Sequence, residues 1–198
     1  MMDPFEERIR KIREEIDADP DNAFWHEQGI GPVFQASPEA RIVLIGQAPG
    51  RKVQETGIPF NDQSGRTLMS WLGMDEPFFH SEKVGILPVD FYYPGKGKSG
   101  DLPPRTIMAS RYHDRLLACM PKAKLRILIG RYAVDWYLKD RMKENLTETV
   151  RNYKDYLPEY FPVVHPSPLN QRWQKNNPWF MEEVVPALQK EILRTFTG

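Results

Sequence analysis

The stretch Arg41-Ile-Val-Leu-Ile-Gly46 is a short run of β-branched and apolar residues that ends in glycine. A run without alternating polar positions is typical of a strand that is buried on both faces of a parallel sheet. The same pattern returns at 124–130 (KLRILIG). Two further segments, 84–89 (VGILPV) and 160–164 (YFPVV), also predict strands, although Pro88 weakens the first of them.

Helical segments lie before, between and after these strands. Apolar spacing and capping residues predict helices at 5–16, 64–74, 106–120, 133–139, 146–153 and 178–196. The expected caps of three of them are Ser64, Thr147 and Asn177. Residues 23–40 show no clear period and are interpreted as a surface connection. The repeated alternation of strand and helix predicts an α/β fold, a three-layer α/β/α sandwich around a central four-stranded parallel sheet.

The size and charge of the chain restrict the classes of protein to which it can belong. Its 198 residues predict a single domain with an N-terminal helical arm at about 1–36. Hydrophobic residues make up 40%, which is too many for a disordered chain. Lys plus Arg and Asp plus Glu both number 27, so the net charge is zero. This balance excludes a polybasic binder, and contact with nucleic acid must come from a local patch.

Cysteine content and apolar runs exclude several further classes. Cys119 is the only cysteine, which excludes a disulfide framework and a four-thiolate iron–sulphur cluster within one chain. We therefore expect no metal and no cofactor. No apolar run approaches the ~18–20 residues of a membrane span, and the charged stretch 1–16 lacks the apolar core of a signal peptide. We expect a cytoplasmic monomer without membrane contact.

Three long loops begin at Gln47, Asp90 and His165, each directly after a predicted strand or its last apolar residue. Ligands of open parallel sheets bind beyond the carboxyl ends of the strands. Many of the 18 prolines lie in these loops and fix their backbone shape. The functional site is therefore expected where the three loops converge.

Two motifs lie in these loops. The first is Gly46-Gln47-Ala48-Pro49-Gly50, followed ten residues later by Phe60 in the run 57–65 (GIPFNDQSG); the second is 165–170 (HPSPLN). Together they resemble the uracil-DNA glycosylase superfamily, and the resemblance extends over about 41–180. The run 57–65 is closest to the branch that includes iron–sulphur enzymes. Because this chain lacks their four cysteines, it is similar to a cluster-free relative of that branch.

The resemblance implies a DNA glycosylase that hydrolyses the N-glycosidic bond of uracil or another deaminated or damaged base, as in base excision repair. It implies that His165 donates a hydrogen bond to the departing base and that Phe60 stacks on the flipped base. Gly46, Gln47, Ala48 and Pro49 would lie at the edge of the base. The alternatives are a structural histidine, a core phenylalanine and a turn without a ligand.

The last loop is implied to bind DNA. Leu169 stands where the family places an apolar wedge, which fills the gap left by the flipped nucleotide. An exposed leucine without this role is the alternative. The expected DNA-binding residues are Ser167, Pro168, Leu169, Asn170 and Arg172, joined by Lys96, Lys98 and Arg105 of the second loop.

The chain departs from the family pattern at its acidic positions. Ala48 replaces an aspartate, the uncharged Gln47 replaces a glutamate, and 86–90 (ILPVD) lacks the asparagine that other branches use to recognise the base. The nearby carboxylates are Asp62, a candidate catalytic residue, and Asp90, a candidate substrate-binding residue. Each can orient water or stabilise the sugar cation, and each can instead cap a loop.

Two other functions stay open. A protein of the same fold that binds a nucleobase or nucleic acid without cleaving it needs only the stacking and donor groups. An unrelated α/β enzyme acting on a small molecule would need a phosphate loop or a dinucleotide fingerprint, and the sequence contains neither.

Overall fold

Four parallel strands form the centre of the computed structural model, which describes residues 3–197. They are β1 (Ile42–Gly46), β2 (Val84–Pro88), β3 (Leu125–Ile129) and β4 (Tyr160–Val163). Their order in the sheet is β2-β1-β3-β4, so β1 and β3 are central. The predicted four-stranded parallel sheet is confirmed. Pro88 is accommodated because it is the last residue of an outer strand.

Helices cover both faces of this sheet. Within the described residues they are α1 (Pro4–Asp17), α2 (Ala23–His26), α3 (Arg51–Thr56), α4 (Gln63–Leu72), α5 (Glu76–Phe79), α6 (Thr106–Leu117), α7 (Arg131–Leu138), α8 (Leu146–Arg151), α9 (Gln171–Asn176) and α10 (Val185–Thr197). A π-helical turn at Phe180–Val184 precedes α10, where the sequence predicted one regular helix.

Two apolar clusters lie on opposite faces of the sheet. Alternate residues of β1 belong to different clusters: Val43 and Ile45 to one, Ile42 and Leu44 to the other. This division follows from the two-residue period of a strand. The first cluster contains residues of α1, α6 and α7, and the second contains residues of α4, α5 and α10. The predicted three-layer α/β/α architecture is confirmed.

The segment predicted as an N-terminal arm contributes to the first cluster. Three isoleucines of α1, Ile9, Ile12 and Ile16, are buried in it. Arg13, on the same helix, donates hydrogen bonds to the carbonyl oxygens of Pro32 (2.9 Å) and Phe34 (3.0 Å). The arm is therefore part of the packed structure.

Two helix caps differ from the prediction. Asp62 rather than Ser64 caps α4, and its Oδ1 accepts a hydrogen bond from the Gly65 N–H at 2.8 Å. Asn145 rather than Thr147 caps α8. Asp, Asn, Ser and Thr all favour the cap position, so their neighbours in the sequence compete for it.

The regions predicted to be irregular contain some regular structure. Residues 23–40 include α2, and Gln35 forms two backbone hydrogen bonds with Ile86 at the outer side of β2. The loop after β1 contains α3. Over residues 3–197, none of the helices combines the length and apolar character needed to cross a membrane.

Candidate active site

A cavity of about 520 Å³ opens at the carboxyl ends of the strands. Residues that follow each of the four strands contribute to its wall, as expected for a parallel sheet. The structure brings together most of the predicted site residues here: Gly46, Gln47, Ala48, Pro49, Phe60, Asp62, His165, Ser167, Leu169 and Asn170.

His165 lies just beyond β4 and is held by its own loop. Its Nδ1 accepts a hydrogen bond from the Ser167 N–H (3.2 Å), and its carbonyl oxygen accepts one from the Asn170 side chain (2.7 Å). Because Nδ1 is an acceptor, the neutral ring carries its proton on Nε2. Burial lowers the pKa of His165, opposed by the negative charge of Asp62. The imidazole is thus a neutral donor, and Nε2 has no hydrogen-bond partner within residues 3–197.

The space for the His165 ring depends on a glycine after β3. Gly130 has a φ of +82°, and a Cβ atom there would lie 3.2 Å from the Cβ of His165 and 3.4 Å from its Cδ2. A larger residue would be strained in its backbone and crowded against the imidazole. Gly130 therefore allows the end of β3 and the last loop to approach each other.

Phe60 occupies a left-handed backbone conformation with φ of +56°. This conformation costs a non-glycine residue about 1–2 kcal/mol and is concentrated at functional sites. The Cζ atom of the Phe60 ring lies 3.3 Å from the position that a Cβ on Gly46 would take. The ring packs edge-to-face on Phe79, with 6.0 Å between the two ring centres. A Cβ on Gly65 would lie 1.7 Å from the Phe60 carbonyl oxygen, so this tight turn requires glycine.

Asp62 presents one carboxylate oxygen to the cavity wall. Oδ1 is used by the α4 cap, whereas Oδ2 lies 3.7 Å from the position that a side chain on Gly50 would occupy. Both Asp62 and Gly50 line the cavity. The structure thus confirms the capping alternative for Asp62, and it also places this side chain in the cavity wall, where the predicted catalytic role stays a prediction.

The turn after β1 is fixed through its backbone. The carbonyl oxygens of Gly46 and Gln47 accept hydrogen bonds from Val89 and Asp90 N–H groups, both at 3.0 Å. The side-chain amide of Gln47 has no partner among the described residues. Since an amide both donates and accepts, Gln47 can match the edge of a nucleobase.

Asp90 lies elsewhere, although the sequence placed it in the substrate site. It is fully buried, and its carboxylate accepts hydrogen bonds from the Nε and Nη2 atoms of Arg105, both at 2.7 Å. It also accepts from the Tyr92 and Arg105 N–H groups. Asp90 is absent from the cavity wall because these four contacts use its oxygens to fix the second loop.

The Arg105 side chain is likewise held by contacts within the protein. Besides holding Asp90, its guanidinium donates to the Asp21 carbonyl oxygen (2.7 Å) and stacks 4.3 Å from the centre of the Trp25 ring. These interactions fix the Arg105 guanidinium at the base of the second loop, and its predicted phosphate contact stays a prediction. Arg172 lies on α9 outside the cavity wall, and Pro168 borders a smaller neighbouring groove.

Sequence reasoning missed several residues of the cavity wall. Tyr132, which follows β3, is one of them. No function was predicted for the carboxyl end of β3, although Gly130 follows that strand as Gly46 ends β1. Asp101 and Leu102 reach the cavity through a hairpin in the second loop. In that loop, the closely spaced glycines were the available signal for a turn.

The described residues offer few ligands for a metal ion. Residues 3–197 contain no group of three or more His, Cys, Asp and Glu side chains that could hold one. Cys119 is buried near the end of α6, away from the cavity, and its thiol donates to the Arg115 carbonyl oxygen.

Comparisons with known proteins identify the family of this chain. The family model of the uracil DNA glycosylase superfamily matches residues 33–189. A type-4 uracil-DNA glycosylase from Sulfurisphaera tokodaii is 26% identical over 172 residues, covering 80% of this chain and 74% of that protein. A solution NMR structure from Methanosarcina acetivorans, assigned to the uracil DNA glycosylases, has a TM-score of 0.47 and 17% identity over 79% of this chain and 93% of its own. With a family model that matches most of its length, the chain belongs to the uracil-DNA glycosylase superfamily.

Proposed function

We propose that this protein is a DNA glycosylase that hydrolyses the N-glycosidic bond of uracil or another deaminated or damaged base in DNA. One observation carries the proposal: His165 is a neutral donor with an available Nε2–H in a cavity that also holds Phe60 and Asp62. Family membership supports the same reaction class.

The reaction separates charge, and His165 meets the negative part. When the bond between the sugar C1′ and the base nitrogen breaks, its electron pair leaves with the base, and the sugar becomes cation-like. A hydrogen bond from Nε2–H to a base oxygen strengthens as that charge develops. The lowered pKa of His165 keeps the ring neutral near pH 7, so it donates without transferring a proton.

Asp62 provides the negative charge that the first motif lacks. Ala48 and Gln47 are uncharged, whereas Asp62 directs Oδ2 to the same cavity. A carboxylate there stabilises the sugar cation and orients the water that adds to C1′, accepting a proton from it. Phe60 holds the flipped base by stacking, and the Gln47 amide lies beside its edge.

The rim of the cavity fits a nucleic-acid partner. Leu169 is 86% exposed, as a wedge that enters the base stack must be. Ser167 and Asn170 line the cavity next to it, but both also support His165. We propose that their remaining hydrogen-bonding capacity, with Pro168 and Arg172 beside them, serves the DNA backbone.

The proposed reaction is tested with labelled oligonucleotides that carry uracil, hypoxanthine, xanthine or a mismatch. Base removal leaves an abasic site, which alkali cleaves. We expect cleavage at one or more of these lesions. Tight lesion binding without cleavage would instead establish the nucleobase-binding alternative.

An Asp62→Asn variant tests the carboxylate. Asparagine is also a good helix cap, so the bond to Gly65 and the melting temperature should persist. We expect the single-turnover rate to fall by about a hundredfold. An unchanged rate would show that the charge of Asp62 has no catalytic role.

A further inference from the structure

A small hairpin in the second loop lies at the mouth of the cavity. Its backbone is closed by hydrogen bonds from the Gly97 N–H to the Gly100 carbonyl oxygen (2.9 Å) and from the Leu102 N–H to the Gly95 carbonyl oxygen (2.8 Å). Gly95 and Gly100 have φ of +106° and +76°. These conformations favour glycine, so the sequence itself specifies this turn. We call residues 95–102 the rim hairpin.

Leu102 is the apolar end of the rim hairpin. Its two methyl carbons lie 3.5 and 3.4 Å from the positions that Cβ atoms on Gly95 and Gly97 would take, so it packs on the hairpin backbone. It lines the cavity and is nevertheless 46% exposed. An apolar side chain that is fixed in place and presented at a cavity mouth is available to a partner.

Leu102 and Leu169 approach the cavity from opposite edges of the sheet. Leu102 belongs to the loop after β2, and Leu169 to the loop after β4, which are the two outer strands. Three strand spacings separate those strands, which corresponds to about 14 Å. Both loops reach the same cavity, so each outer strand of the sheet contributes one exposed leucine to its wall.

The rim hairpin also carries two cations. Lys96 and Lys98 are exposed, and neither forms an ion pair within residues 3–197. In contrast, Arg105 at the far end of the same loop is held by Asp90. Charges left unpaired beside an exposed leucine match the combination of phosphates and bases in DNA.

We propose that the rim hairpin is a second DNA-contacting element, which packs Leu102 against base pairs next to the flipped nucleotide while Lys96 and Lys98 contact phosphates. This inference rests on the proposed glycosylase function. The proposed partner of the hairpin is duplex DNA, because an apolar contact with stacked base pairs requires a duplex.

The leucine is tested by comparing cleavage of the same lesion in duplex and single-stranded DNA. We expect Leu102→Ala to lower the duplex rate at subsaturating enzyme by about tenfold, from the loss of buried apolar contact, and the single-stranded rate by less than about twofold. The matched control is Leu193→Ala, which truncates an exposed leucine of α10 outside the cavity wall. An equal loss on both substrates would assign Leu102 to the pocket wall alone and overturn the proposal.

The lysines are tested by the salt dependence of duplex binding, which requires no cleavage. Each phosphate contact contributes about 0.9 to the slope of log K against log salt, so Lys96→Ala/Lys98→Ala should reduce that slope by about 2. The control is Lys83→Ala/Lys124→Ala, because these exposed lysines directly precede β2 and β3 at the opposite end of the sheet.

A failure of the glycosylase proposal can be distinguished from a failure of the hairpin proposal. If the wild type binds duplex DNA but cleaves no lesion, the glycosylase proposal fails while the salt experiment still tests the hairpin. If the wild type cleaves, but the 96/98 variant retains the wild-type slope or loses no more than the 83/124 control, the hairpin proposal fails alone.

Discussion

Phe60 shows how single residues build this site. Its left-handed backbone turns the ring toward the cavity, and the turn is possible because Gly65 lets the helix start pass close to the Phe60 carbonyl oxygen. Asp62, between them, fixes that helix start and also faces the cavity. Three residues in a run of six thus position an aromatic ring and a carboxylate together.

Phe60→Ala should weaken the capture of a flipped base. Stacking contributes about 1–3 kcal/mol per base, so we expect lesion-DNA affinity to fall between about fivefold and a hundredfold. The measurement is a binding titration with matched lesion and undamaged duplexes. Phe24→Ala is the control, because Phe24 is exposed and lies outside the cavity wall. Equal lesion affinity in the Phe60 variant would contradict the stacking role.

The second loop depends on one ion pair. Asp90 follows β2 by two residues, and Arg105 directly precedes α6, so their pairing closes a long loop at its base. Asp90 is fully buried, and a buried carboxylate that loses its partner is strongly destabilising. The rim hairpin is carried by the loop that this pair closes.

Arg105→Ala should lower the free energy of unfolding by about 3 kcal/mol, because it leaves the Asp90 charge buried without its partner. Urea denaturation measures this change. Arg51→Ala removes an exposed pair with Glu55 and should change stability by less than about 0.5 kcal/mol. Similar values for the two variants would contradict the structural role of the Asp90–Arg105 pair.

At the level of elements, the strands were predictable and the loops only partly so. Residues 42–45 and 127–129 are apolar on both faces, a local pattern that tertiary packing reinforces. The role of Asp90 could not be predicted, because it depends on Arg105, fifteen residues away. The rim hairpin and α3 were missed since they are short and lack an apolar period of their own.

Across the whole molecule, a histidine joins a strand of the sheet to two helices of the layer that covers it. His113 on α6 donates from Nε2 to the Pro88 carbonyl oxygen of β2 (2.8 Å), and its Nδ1 accepts from the Tyr137 hydroxyl of α7 (2.8 Å). Burial lowers the pKa of His113 to about 4. The folded protein therefore excludes a proton that the unfolded chain takes up.

This exclusion makes stability depend on pH. Above pH ~6.5, His113 is neutral in both states and imposes no penalty. As the pH falls from there to about 4, only the unfolded chain becomes protonated, which favours unfolding by up to about 3 kcal/mol. Urea denaturation at pH 7 and pH 4 should show a smaller pH difference for His113→Gln than for the wild type. Equal differences would contradict a buried neutral His113.

The central claim, that His165 stabilises a departing base, is tested most directly by single-turnover base release from the best lesion duplex with wild type and His165→Ala. One such donor accounts for about 10²–10³-fold in rate. We predict a loss of that size, with DNA affinity and melting temperature close to wild type, because the hydrogen bond strengthens only as the bond breaks. A His165→Ala protein that remains folded and releases the base at the wild-type rate would contradict the account.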